Sequence, residues 1–462
     1  MVAVVHDDAL DLRVGLPEHA LDRLGDERFR VERGYHGGDQ HRPAPYSLRR
    51  VSRTVTTARP RVVYVSYDGA AEPLGRSQVL AYLVRLADSC DITLISFEKG
   101  RDGRAEIADL LGRAGIRWLP RRYHHRPPVL STLWDVLVGA RALRRACRSS
   151  GAEIVHVRSY VPALIALLAA WPTGRRWRLL FDIRGFWVDE RVAGGAWSER
   201  STLYRLAKRC ERRFFAEADA VVTLTAASVP QIRTWLGDRD VPVRVIPTCA
   251  EVERFREGEP RADGPHAVWC GSIGTFYRFD LAVRFADALG VPLTVLTRQT
   301  KLARAQLGER RADVREASSA DVARELRPGD IGLCFIADGW VNSARAPTRA
   351  AECLAAGMAL AITPGLGDID ALVEDEGVGV RIENESDEGL ARAATRVLAV
   401  AADPDVRARA RRLAVERYSV DDGANAYLDL YRQLLHGDGE VSGLEREAMA
   451  LTTPPAAGTP RA

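Results

Sequence analysis

A chain of 462 residues with 46% hydrophobic and 28% charged residues has the balance of a globular protein of two or three domains, not of a disordered chain. Its formal net charge of +4 is small against 66 basic and 62 acidic side chains, which argues against nucleic acid as the main partner. Lysine occurs only at Lys99, Lys208 and Lys301, so arginine is the default base here and only its local clusters carry information. The seven cysteines are scattered and odd in number, which fits neither a zinc site nor a disulfide framework and suits a reducing cytoplasm. The longest apolar run, Val161 to Trp171, is too short to span a bilayer and contains Pro162. Asp7, Asp8 and Asp11 make the opening segment unlike a signal peptide.

Residues 1–58 are polar and weakly periodic and read as a flexible N-terminal extension. A first buried strand is predicted at Arg61-Val-Val-Tyr-Val-Ser66, followed by a loop with Gly69 and Gly75 and an amphipathic helix over Gln78 to Asp88. Further strands are predicted at Ile92 to Ser96, Glu153 to Val157, Leu179 to Ile183, Ala220 to Leu224 and Val243 to Pro247, with helical stretches between them. A second series opens at Ala267 to Gly271 and continues at Leu293 to Leu296, Ile331 to Phe335 and Met358 to Ile362. Strand and helix alternating twice predicts an α/β protein of two facing, Rossmann-like, doubly wound parallel sheets, one domain over 59–249 and one over 250–436. The Ala-, Pro- and Thr-rich residues 437–462 read as a disordered tail. Ligands of such sheets bind beyond the carboxyl ends of the strands, so two facing sheets form a cleft.

The segment Pro347-Thr-Arg-Ala-Ala-Glu352-Cys-Leu-Ala-Ala-Gly357 carries the most chemistry. Pro347 and Thr348 suit the start of a helix whose leading N–H groups can hold phosphate oxygens. Glu352, just over one turn on, can accept both hydroxyls of a ribose, and Gly357 ends the helix. The alternative is an ordinary helix with an exposed glutamate. A second constellation, Asp182-Ile-Arg184-Gly-Phe-Trp-Val-Asp189-Glu190, follows a strand end and reads as active-site lining, against a structural cluster of ion pairs. Arg158 and Tyr160 follow a third strand end, where Tyr160 offers a flat face for a sugar. Gly75 would let the backbone approach a ligand closely. His156 reads as a satisfied core residue. Asp368-Ile-Asp370 has the form of a metal-binding pair, but it lies before a helix where Asp is a common cap, and no metal is expected.

These motifs together resemble the family-4 glycosyltransferases of the GT-B fold. Pro-Thr-Arg with Glu352 and Leu-Ala-Ala-Gly357 is similar to that family's donor-site motif. Tyr67-Asp-Gly, Pro73-Leu-Gly and Ser77-Gln resemble its opening, and Phe181 to Glu190 and Gly271 to Tyr277 resemble later segments in the same order, over about residues 61 to 435. The resemblance implies a retaining transferase whose second domain binds a nucleotide diphosphate sugar and whose first domain binds the acceptor. The commoner pattern pairs two glutamates; here Glu352 matches the second and Ala344 stands at the first. The usual basic pair that neutralises the donor phosphates falls on Ser272 and Tyr277, within a loop that includes Gly274. Arg298, at a strand end, is expected to supply that charge, with Arg278 as a second candidate. Relatives often carry a His near the Arg184 position; an arginine there cannot act as a base and would bind phosphate or an anionic acceptor.

The expected catalytic residues are therefore Arg184, Asp189 and Glu190. Donor-binding residues are Ser272, Gly274, Arg298, Pro347, Thr348 and Glu352; acceptor-binding residues are Gly75, Arg158 and Tyr160. No cofactor is expected beyond the nucleotide diphosphate sugar as donor substrate. The acceptor is a cell-surface polysaccharide or lipid-linked glycan precursor. Eight arginines and one acidic residue, Asp135, between Arg117 and Arg148, with Trp118 and Trp134 among them, suggest peripheral contact with an anionic membrane at its cytoplasmic face. A solvated helix face explains that stretch nearly as well. A nucleotide-sugar epimerase of the same fold and a non-catalytic nucleotide-sugar-binding module are the alternatives.

Overall fold

The computed structural model describes residues 59–171, 174–255, 264–274, 276–318 and 321–436. The expected extension over 1–58 and tail over 437–462 lie outside the described residues.

Thirteen strands build two parallel sheets among the described residues. The first holds β1 (Arg61–Ser66), β2 (Asp91–Glu98), β3 (Arg117–Arg122), β4 (Ile154–Arg158), β5 (Arg178–Asp182), β6 (Ala220–Thr223) and β7 (Val243–Val245), in the order β3-β2-β1-β4-β5-β6-β7. The second holds β8 (Ala267–Cys270), β9 (Leu293–Leu296), β10 (Asp313–Arg315), β11 (Ile331–Cys334), β12 (Ala359–Ile362) and β13 (Gly379–Arg381), in the order β10-β9-β8-β11-β12-β13. The central strands are continuous apolar runs because both of their faces are covered by helices. Val63, Val65, Val155 and Val157 point into one core of the first sheet, and Val62, Tyr64 and Ile154 into the other. The second sheet is sandwiched in the same way.

Strand order reverses between β1 and β4 in the first sheet and between β8 and β11 in the second. Those switch points mark where helices leave a crevice at the carboxyl edge. The register aligns Ser66 with Arg158 and Arg158 with Asp182, so the chain leaving β1, β4 and β5 converges at one spot.

The final helix, Val420–His436, departs from the sequence reading, which grouped it with the second domain. It packs on the first sheet, where Val420, Ala424, Tyr427, Leu430 and Tyr431 join Val62, Tyr64, Tyr82 and Leu83 in one core. A Cβ on Gly423 would lie 2.8 Å from the Tyr82 ring and 2.9 Å from Cys249 Sγ, so this helix beds closely against its neighbours. The return crossing is tied to the outgoing one: Ala250 N donates to Tyr418 O at 2.8 Å and Val420 N to Ala250 O at 3.0 Å. Among the described residues, no helix is long and apolar enough to cross a membrane.

Candidate active site

In the first lobe the site is built around a buried carboxylate and two arginines. Asp182, at the end of β5, is wholly buried, and Arg158, at the end of β4, is 5% exposed. Arg158 Nε lies 3.5 Å from Asp68 Oδ2, in the loop after β1. Arg184 has φ of 55°, a left-handed conformation that costs an arginine roughly 1–2 kcal/mol. Such strain persists only where the surroundings hold it. Here Nη2 donates to Gln78 Oε1 at 3.2 Å and to Thr248 Oγ1 at 3.4 Å, and Nη1 lies 3.7 Å from Asp182 Oδ1. Burial disfavours the charge on Arg184, but the Asp182 carboxylate together with Tyr427, Tyr82 and Tyr64 outweighs it and raises the pKa. Burial likewise opposes ionisation of Asp182; Arg184, His156 and Arg158 overcome it and hold that carboxyl below its usual range. His156 packs against Tyr64 with the rings tilted, bonds the Tyr431 hydroxyl at 2.7 Å, and has its pKa lowered by burial.

In the second lobe, the helix Thr348–Ala355 begins at Pro347, and no side chain caps its start. Its leading N–H groups and the positive end of its dipole suit an anion. Glu352 is 8% exposed, and its Oε2 pairs with Arg349 Nη1 of the same helix. The loop after β8 carries half-buried Ser272 and exposed Gly274, whose φ of 105° favours glycine. Gln299 stitches that loop to the end of β9, accepting from Ile273 N at 2.6 Å and donating to Ile273 O at 3.0 Å. This brings Ser272, Gly274 and exposed Arg298 to the carboxyl edge of the sheet. Arg278 is held by Asp280 and Glu385.

The lobes meet directly across the cleft. Arg345 Nη2 lies 3.2 Å from Glu190 Oε2, and Trp340 stacks on Phe186 with centroids 5.3 Å apart. Thr225 Oγ1 donates to Ser343 O at 2.5 Å. Asp368, the first member of the Asp-x-Asp pair, stands at the start of helix Ile369–Asp375 but bonds the other lobe: its two oxygens accept from Ala226 N at 2.7 Å and Ala227 N at 2.9 Å. Asp370 accepts from Gly365 N at 3.0 Å.

Four sequence-predicted roles change in this geometry. Tyr160 presents no face to a sugar: it is 3% exposed, packed on Phe181 and Phe214, and its hydroxyl donates to Glu211 at 2.9 Å. Gly75 makes its close approach to the protein itself, since a Cβ there would sit 1.9 Å from Gly69 O. Asp189 is 8% exposed and accepts from Tyr204 at 3.0 Å and Lys208 at 2.9 Å, which makes it a brace between helices. Glu190 is a cross-lobe partner of Arg345, folded over Gly185, where a Cβ would come within 2.7 Å of its Oε1. Sequence reasoning passed over Arg345 and Thr248 and gave Gln78, within the quoted Ser77-Gln motif, no contact of its own; all three depend on distant segments. Arg349 was within the quoted Pro-Thr-Arg motif, and its partnership with Glu352 at three residues' spacing was available from the sequence.

Comparison with known proteins agrees with this architecture. Residues 75–254 match the model of Glycosyltransferase Family 4. The fold resembles sucrose-phosphate synthase from Thermosynechococcus elongatus, with a TM-score of 0.63 and 16% identity over 82% of this chain and 99% of that one. It also resembles Anabaena HepE in complex with UDP-glucose, with a TM-score of 0.56 and 13% identity over 81% and 99%. A third similar structure is WaaG, a glycosyltransferase involved in lipopolysaccharide biosynthesis, with a TM-score of 0.56 and 14% identity over 79% and 99%. No curated protein sequence matches significantly. The chain therefore has the GT-B fold of these structures, and its residues 75–254 match the Glycosyltransferase Family 4 model.

Proposed function

We propose that this enzyme is a retaining, metal-independent transferase that moves a sugar from a nucleotide diphosphate sugar to a cell-surface polysaccharide or a lipid-linked glycan precursor. The observation that carries the reading is the uncapped helix start at Pro347 and Thr348, with Glu352 one turn behind it. A diphosphate on those N–H groups brings a ribose within reach of the glutamate. As the sugar–phosphate bond breaks, charge grows on the departing phosphate oxygens. The helix start, Arg298 and Arg184 would stabilise it, a contribution worth roughly 3–4 kcal/mol per well-placed donor. No side chain is assigned as a covalent nucleophile. The acceptor hydroxyl attacks the same face of the sugar, and the contacts between the lobes keep water out. The presence of UDP-glucose in the similar HepE structure makes uridine diphosphate sugars the first donors to test, and WaaG's part in lipopolysaccharide biosynthesis supports a cell-surface acceptor.

A lipid-linked acceptor also fits the helix Pro128–Ser150. Leu130 is 64% and Trp134 55% exposed, with Val129 and Leu133 exposed beside them. Arg122, Arg126, Arg141, Arg145 and Arg148 are exposed around this ridge, whereas Asp135 is buried and accepts from Tyr67 at 2.8 Å. An apolar ridge bordered by unopposed cations suits an anionic membrane surface, and the helix starts near the carboxyl end of β3, on the cleft side of the sheet. This is the basis for proposing a peripheral position at the cytoplasmic face of the cell membrane.

The test is incubation with UDP-, GDP- and dTDP-sugars and a bacterial lipid extract, with and without EDTA. Acceptor-dependent, EDTA-resistant release of nucleoside diphosphate and a product of unchanged anomeric configuration are expected. Epimer formation without acceptor identifies an epimerase, and binding without turnover a non-catalytic module; either result overturns the proposal.

A further inference from the structure

The mechanism leaves unused the polar groups that the last helix inserts beneath the site. Tyr427 is buried among Tyr82, His156 and Tyr431, and its hydroxyl donates to Asp182 Oδ2 at 3.0 Å. That is the one short hydrogen bond on the Asp182 side chain among the described residues: Oδ1 accepts none, and His156 Nε2 stands 3.6 Å from Oδ2. The opposite oxygen, Oδ1, faces Arg184 Nη1 at 3.7 Å. A wholly buried carboxylate with so few partners takes its orientation from the bond it has. The helix that supplies this bond starts at the return crossing, where Ser419 pairs with Ala250. Thr248, which accepts from Arg184, lies two residues before that pairing.

We infer that Tyr427 is a positioning residue for the transfer reaction: through Asp182 it fixes the guanidinium of Arg184, and so ties the aim of that guanidinium to the crossing between the lobes. This rests on the reading of Arg184 as a stabiliser of the leaving group. The strained backbone at Arg184 gives the side chain no ordinary helix or strand setting, so its direction depends on Gln78, Thr248 and Asp182. Removing the Tyr427 hydroxyl frees the carboxylate to turn and lets the guanidinium follow, while the ring still fills the core.

The experiment is a double-mutant cycle on the full chain, read as nucleoside diphosphate release with whichever sugar nucleotide of the UDP, GDP and dTDP panel gives the fastest turnover. Tyr427→Phe is expected to lower kcat about tenfold at an unchanged donor KM, since hydrogen bonds to charged groups are among the stronger ones. Arg184→Ala is expected to lower kcat about 10²–10³-fold. Adding Tyr427→Phe to Arg184→Ala is expected to change the rate less than about twofold, because the two act through one group. Tyr431→Phe removes a hydroxyl from the same helix that bonds His156 and not Asp182, and should change kcat less than about twofold. Equal slowing by both tyrosine variants, or additive losses in the double variant, overturns the positioning role and leaves the Arg184 assignment standing. Full activity in Arg184→Ala removes that assignment and the inference with it.

Discussion

Replacing Glu352 with alanine tests the donor half of the site most directly. In the structure Oε2 is engaged by Arg349, which leaves Oε1 to accept from a ribose hydroxyl. A hydrogen bond to a charged group contributes about 1.5–3 kcal/mol. At about 1.4 kcal/mol per factor of ten, its loss weakens nucleotide binding roughly 10- to 150-fold. The cost to folding is smaller: the Arg349 side chain is 37% exposed and turns to water, so the lost ion pair costs on the order of 1 kcal/mol. Calorimetric titration with UDP and with its 2′,3′-dideoxy analogue separates ribose recognition from any general damage. Glu352→Ala should bind UDP at least tenfold more weakly and the dideoxy compound almost as well as the unaltered enzyme does. Affinity for UDP within twofold of the original, or an equal loss for both ligands, would refute ribose recognition by Glu352.

Three further outcomes are expected. Asp368→Ala removes two carboxylate–amide bonds between the lobes and should shift the population toward an open form by on the order of 1–2 kcal/mol, seen as a larger radius of gyration in solution scattering; an unchanged radius counts against this clasp. Burial holds His156 below its usual pKa of 6.5, so the unfolded chain takes up that proton first. Stability is therefore full above about pH 6.5 and falls as pH drops toward the depressed value, and His156→Gln should flatten part of the fall in denaturant midpoints between about pH 7.5 and 5.5; an identical slope contradicts the assignment. Finally, Leu130→Glu with Trp134→Glu should lower partitioning onto phosphatidylglycerol vesicles at least tenfold, since each side chain contributes roughly 1 kcal/mol or more on burial. Unaltered flotation would rule out this ridge as the contact.

The central strands of both sheets were legible because burial on two faces writes them as continuous apolar runs. Of the edge strands, β7 was predicted within Val243 to Pro247, but β3, β10 and β13 were not. β3 reads Arg-Trp-Leu-Pro-Arg-Arg, and β10 and β13 are three residues each, so charge and brevity hide them. Local spacing did give the helix start at Pro347 and Thr348 and the place of Glu352 within that helix. The site was misread where burial decides: Tyr160 and Asp189 carry the residue types of a sugar site, yet the helix Thr202–Glu217 covers them and supplies Glu211, Tyr204 and Lys208 as partners. Arg345 and Tyr427 gave no signal, because each acquires its role from a partner more than 150 residues away in the chain.

Because residues 420–436 fill a groove on the first sheet, no single cut near residue 250 yields two whole halves. A fragment ending there would leave Tyr64, Tyr82 and Leu83 bare to water and strip Asp182 of its tyrosine, conditions under which a half-molecule clumps. Dissection of this protein into parts requires a circularly permuted chain, with the terminal segment grafted ahead of Arg61, so that each piece carries its complete core.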